Sequence, residues 1–187
     1  QITRVLRTGT TATLQADVDI NVNSAIFGGD REAGGGLAMS AGHDIDVNDF
    51  IVTNDGAIDM TAAQGTVNIA AGKAEFAGSA PITVNAGGTI HTGPMLTNGA
   101  LSIQSLAGSI AIDSFIDEHT GPVSLKAAGS VDINQPIVNI VNGSTLDVSA
   151  GTDVNVNAQV EGRGGASGGA ITMTAARDLN VNQAVVT

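Results

Sequence analysis

One pattern constrains this chain more than any other: a short apolar alternation that returns about every 22 residues. From Leu146 to Val160, apolar side chains stand at Leu146 and Val148, at Val154 and Val156, and again at Val160, with a small Ala150–Gly151 between the first two pairs. The first pair recurs at Leu37/Met39, Ile58/Met60, Ile82/Val84, Leu101/Ile103, Val123/Leu125 and Ile171/Met173, with Ala12/Leu14 as a weaker early member. The second follows in register at Ile20/Val22, Ile45/Val47, Val67/Ile69, Ile110/Ile112, Val131/Ile133 and Leu179/Val181, and only the copy at Ile90 departs, with Thr92 in its second slot. The third apolar position falls at Ile26, Ile51, Phe76, Leu96, Ile116, Ile137, Val160 and Val185.

Alternation at period two over three to five residues means a strand with one buried face. No stretch carries a 3.6-residue period over a useful length, so no helix is expected. Three short strands per repeat, bent at small or polar corners, describe one rung of a parallel β-solenoid. The fold class is therefore all-β, a parallel β-helix of about eight rungs of ~22 residues, stacked ~4.8 Å apart into a rod roughly 40 Å long. A rung cannot bury its inward face alone, so stacking is the folding event.

The corners agree. Asn follows the second pair at Asn23, Asn48, Asn134, Asn157 and Asn182, where it tolerates a sharp bend and can hydrogen-bond to its copy one rung away. Ala-Gly or Ala-Ala at 41–42, 62–63, 127–128, 150–151 and 175–176 suits a corner too tight for larger side chains. Residues 20 to 53 also resemble residues 154 to 187 at an offset of 134, six rungs, with Met39/Met173 and Asp44/Asp178 among the identities. Both blocks carry a glycine-rich excursion, Phe27–Gly36 and Glu161–Ala170, expected to project from a corner. No domain boundary interrupts residues 1–187. Residues 1–10 read as the tail of a preceding rung, and the whole as a segment of a longer array.

Composition narrows the function. With 4 Phe and no Trp or Tyr, the core must be built from Val, Ile, Leu and Ala, which suits narrow layers. A net charge of −11 supplies no basic stripe for phosphates, which argues against nucleic acid and against anionic membrane surfaces. No apolar run approaches the ~20 residues needed for membrane insertion as a helix. The absence of cysteine excludes disulfides and thiolate metal sites.

Chemistry-bearing candidates are few. Asp44 and Asp46 flank Ile45 on the outer face and stack near Asp19 and Asn21 one rung earlier, a like-charge grouping that calcium would relieve. The nonapeptide of calcium-binding β-rolls is absent. His43, His91 and His119 share no ligand spacing and read as surface residues, with no His–Asp pairing evident. The glycine-rich loops lack GxxxxGK[ST] and GxGxxG and precede no helix, so they do not cradle phosphate. Asp113–Glu118 is the densest acidic spot away from Asp44, with Lys126 the nearest cation, and carries the case for a polysaccharide-binding or -cleaving β-helix. No catalytic, cofactor-binding or metal residue is assigned, and no enzyme activity is expected.

The phrases SAGHDIDVND, SAGTDVNVNAQV, TAARDLNVNQAVV and KAAGSVDINQPI resemble the rungs of the filamentous haemagglutinin family, large exoproteins of Gram-negative bacteria secreted by the two-partner route. The resemblance runs from about residue 12 to 187 and implies a right-handed β-helix forming a fibre shaft. It implies an extracellular or cell-surface location, export through an outer-membrane transporter, and adhesion to host or neighbouring-cell glycans or proteins. The expected function is a non-catalytic structural shaft acting by rung stacking and by surface-loop contacts, with the Phe27–Gly36 and Glu161–Ala170 loops as the expected contact surface. The alternatives are a filament subunit whose rung at 187 stacks on the rung at 1 of another copy, and the polysaccharide β-helix centred on Asp113–Glu118.

Overall fold

The computed structural model describes residues 2–28, 34–118, 120–138, 144–162 and 169–186. The chain is a β-solenoid of three eight-stranded parallel sheets, each taking one strand from every rung. The first sheet stacks Ala12–Ala16, Leu37–Ala41, Ile58–Ala62, Ile82–Ala86, Leu101–Ser105, Val123–Ala127, Thr145–Ala150 and Ala170–Ala175. The second begins at Ile20–Val22 and ends at Leu179–Val181; the third runs from Ile26–Phe27 to Val185–Val186. Eight copies of each strand make about seven full turns.

The alternation sets the register. Leu37 stacks on Ala12 and under Ile58, Ile82 on Ile58, Leu101 on Ile82, Val123 on Leu101, Leu146 on Val123 and Ile171 on Leu146. The second column runs unbroken from Ile20 through Ile45, Val67, Ile90, Ile110, Val131 and Val154 to Leu179. These side chains are buried from Ile20 to Val160, so one continuous aliphatic core fills the rod. A one-residue slip would turn every member outward, and the aliphatic columns forbid it.

The third column differs from the sequence expectation in two rungs. Glu75, not Phe76, pairs with Ile51, and Met95, not Leu96, pairs with Glu75 and Ile116. Phe76 is 39% exposed, whereas Glu75 and Ala77 on either side of it are fully buried. With both neighbours inward, the pleat sends the ring outward. Hydrogen bonds from Glu75 N to Pro94 O at 2.9 Å and from Thr53 N to Phe76 O at 3.0 Å hold that register. A register shift beside Leu96/Thr97 marks a bulge between the two strands.

The expectation of no helix is corrected at the start of the chain. Ile2–Leu6 form a short helix, α1, rather than the tail of a rung. Leu6 is buried and Ile2 half-buried against the core, one turn apart on one face. Gly9, at φ 74°, closes the helix with its N–H on Leu6 O. The helix lies against Ala12–Ala16 and Ile26–Phe27, over the first rung. At the other end, Leu179, Val181 and Val185 are exposed.

Tight corners explain the small residues. A Cβ on Gly42 would stand 2.0 Å from Asp17 O, and one on Gly151 2.1 Å from Ala128 O. The described ends of the glycine-rich segments also pack closely instead of projecting. Gly35 N donates to Leu6 O at 2.8 Å, a Cβ there would meet Thr10 O at 1.9 Å, and Gly162 N donates to Val186 O at 2.8 Å. Glycine is used here because rung backbones touch. Residues 29–33 and 163–168 of those segments lie outside the described residues.

Candidate functional site

The polar side chains of the second sheet and its two corners form columns that run along the rod. At the corner entering that sheet, a side-chain oxygen repeatedly accepts the backbone N–H one rung on. Asp19 Oδ1 accepts Asp44 N at 3.0 Å, Asp44 Oδ1 accepts Thr66 N at 2.7 Å, Ser109 Oγ accepts Ser130 N at 3.0 Å and Asp153 Oδ1 accepts Asp178 N at 3.2 Å. These N–H groups sit in bends where no ladder partner serves them, so the side chain does the work of a cap. The Thr66 N–H is the main reason the Asp44 carboxyl lies below its ordinary value, with the Thr66 hydroxyl and His43 adding to it. Asp153 is lowered chiefly by the guanidinium of Arg177, whose Nε donates to Asp153 Oδ1 at 2.8 Å.

The exit corner carries the expected asparagine ladder. Asn48 Nδ2 donates to Asn23 Oδ1 at 3.0 Å, Asn157 to Asn134 at 3.0 Å and Asn182 to Asn157 at 2.9 Å. Between the corners, Asn68 donates to Asp46, Asn155 to Asp132 and Asn180 to Asn155.

The histidines are more engaged than their spacing suggests. His91 Nδ1 lies 2.7 Å from Asp113 Oδ2, while Asp113 Oδ1 accepts Asn134 Nδ2 at 3.0 Å, so Asp113 ties three rungs together. His43 Nδ1 lies 2.9 Å from Asp44 Oδ2 and 3.6 Å from Asp19 Oδ1. The absence of His–Asp pairing is therefore corrected at both positions; His119 lies outside the described residues. A signal existed in the sequence: His91 and Asp113 are one rung apart, and His43 adjoins the stacked Asp19 and Asp44.

Asp19, His43 and Asp44 offer ligand atoms within 4.8 Å of one another, and they form the one grouping of three such residues among those described. Two carboxylates and an imidazole suit a divalent ion. Asp46, expected to share a cation with Asp44, bonds to Asn68 instead. Asp44 already spends one oxygen on Thr66 and the other on His43, so an ion would compete with existing bonds.

The acidic spot separates in three dimensions. Asp113 leaves the second sheet towards His91, whereas Asp117 belongs to the third-sheet strand Ile116–Glu118 and Lys126 to the first sheet. The side chain of Glu118 lies outside the described residues. Asp117 instead borders a cavity of about 180 Å³ with Phe76, Leu96 and Asn98. The outer face there is apolar over four successive rungs, Phe27, Val52, Phe76 and Leu96 standing in register. A larger cavity of about 500 Å³ lies beside α1, lined by Ile2, Leu14, Ile20, Val22 and Ile26 with no titratable side chain. Compared with known proteins, the chain matches no family model, no curated protein and no solved structure.

Proposed function

We propose that the chain is a structural shaft segment of an extracellular or bacterial cell-surface fibre of the filamentous haemagglutinin type, acting by rung stacking and by contacts along its sides, without catalysis. The observation that carries this reading is where the polar chemistry is used. Asp44, Asp113, Asp153 and the Asn23–Asn48 and Asn134–Asn182 ladders all bond from one rung to the next. Side chains committed to joining rungs lengthen and stiffen a rod. The resemblance of the rung phrases adds secretion through an outer-membrane transporter and partners among host or neighbouring-cell glycans and proteins.

The polysaccharide reading loses its basis in clustered carboxylates, since Asp113 and Asp117 leave different sheets. The filament reading needs the eighth rung to dock on the first, where α1 lies with Leu6 buried beneath it, so docking would displace the helix.

Small-angle scattering and a bead-adhesion assay test the proposal together. A rod of roughly 40 Å from eight rungs at ~4.8 Å, whose coated beads adhere to cells or glycan-coated surfaces, supports it. Turnover of an acidic polysaccharide by the purified chain overturns it.

A further inference from the structure

Glu75 occupies a core position that seven other rungs fill with Ile, Met or Val. Its side chain has 0% exposure, and neither carboxyl oxygen has a hydrogen-bond partner among the described residues. One rung on, the buried Thr92 hydroxyl is likewise without a partner. Among the described residues, the inward positions of the strands packed around Glu75 carry no charge: Ile51, Met60, Ile69, Val84, Ile90 and Met95. The titratable groups of those strands and corners, Asp49, Asp55, Asp59, Lys73, His91 and Asp117, lie on outer faces or in bends. Desolvation alone therefore acts on the carboxyl, and it pushes the group well above its ordinary value of 4.5.

Among the described residues, four of the five positive-φ positions lie around Glu75. Gly72 and Gly78, at φ 80° and 59°, bracket its strand. Asn54 and Asp55 hold left-handed angles one rung earlier, at φ 49° and 68°, and a register shift separates this strand from the next. These are the places where a strand can leave a stack without dragging its neighbours. In a solenoid each rung touches only the rungs beside it, so the loss of one strand need not spread.

We propose that Glu75 makes the third rung a pH-responsive opening point, at which the strand Glu75–Gly78 leaves the core as the carboxyl loses its proton. Protonated, the side chain stays in the aliphatic column. Ionised, it must reach water, and the glycine-bounded strand swings out while the rungs on both sides remain stacked. The sign follows from linkage. An acid whose folded-state value is raised stabilises the closed form fully below about 4.5, loses tenfold per pH unit as pH rises towards the raised value, and is constant beyond it.

Hydrogen exchange of the full chain between pH 5 and 9, corrected for the intrinsic rate, reads this directly. The amides of Ile51, Thr53 and Asp55, which donate to Ala74, Phe76 and Ala77, are the reporters. In the wild type their protection should fall with rising pH, by up to about tenfold per pH unit, and level off once the raised value is passed, while Val131 and Val154 keep theirs. In Glu75→Gln and in Glu75→Met, which restores the aliphatic column, the reporters should be flat with pH. Equal pH profiles in wild type and Glu75→Met overturn the proposal, as does a loss of protection shared by all rungs. A carbon-13 titration of the Glu75 carboxyl with its midpoint at the ordinary value overturns it as well.

Discussion

Asp44 Oδ1 accepts the backbone N–H of Thr66 at 2.7 Å, across 22 residues of sequence and a single rung of structure. The carboxylate thereby closes a bend in the rung above, and its own N–H is closed by Asp19 below. The chain uses acidic side chains as fasteners between turns.

Acid should loosen those fasteners. Asp44, Asp49, Asp55 and Asp153 all lie below the ordinary 3.8, through the N–H groups of Thr66, Phe50 and Ser79 and the Arg177 guanidinium respectively. For acids lowered in the folded state, the contribution is present above about 3.8 and lost as pH falls through the folded values. Glu75 acts in the opposite sense above 4.5. Thermal melts across pH should therefore peak between these two values, and the fall on the alkaline side should vanish in Glu75→Met.

The asparagine ladder should have a measurable worth. Asn157 donates to Asn134 and accepts from Asn182, so Asn157→Ala removes two exposed bonds. A loss of about 1 kcal/mol is expected in urea unfolding. Gln159→Ala, whose amide bonds only within its own corner to Glu161, should change stability by less than half as much.

A charge in the aliphatic column should be far more damaging. Val156 stands fully buried between Ile133 and Val181. Val156→Asp is expected to remove at least about 4 kcal/mol and to abolish the cooperative melt seen by circular dichroism. Asn155→Asp, one residue away on the outer face, should leave the melt cooperative.

Rung contact sets a further limit. A Cβ on Gly42 would lie 2.0 Å from Asp17 O, so Gly42→Ala forces adjacent backbones apart. A cost of about 1–3 kcal/mol should appear as a lowered melting temperature. Ala63→Gly, at the matching corner one rung on, where Ala63 N bonds to Ala41 O, should cost less than 1 kcal/mol.

The rungs were legible in the sequence because two of the three strands in each alternate apolar and polar residues with a fixed parity. Ile58–Ala62 and Val67–Ile69 admit a single register each. The third strand gives no such parity in Glu75–Gly78 and Met95–Thr97, where apolar residues stand at both parities and the larger ones, Phe76 and Leu96, face outward. Size favoured Phe76; the bulge and the hydrogen bonds from Glu75 N to Pro94 O and from Thr53 N to Phe76 O decided otherwise. Helix α1 rests on two apolar residues four apart, too short a pattern to register as a period. The clustering of His43 with Asp19 and Asp44 depends on which corner residues stack, and that follows only once the lengths of successive rungs are aligned.

The parallel stack also determines how the chain would yield to a pull. Each turn stores roughly 23 residues within a rise of ~4.8 Å, and a turn peeled from the end releases a strand of about 75 Å. Tension applied to the termini would therefore lengthen the molecule in steps of roughly 70 Å, turn after turn. Such a rod absorbs work stepwise along its length, as a tether does when the surfaces it joins are dragged apart.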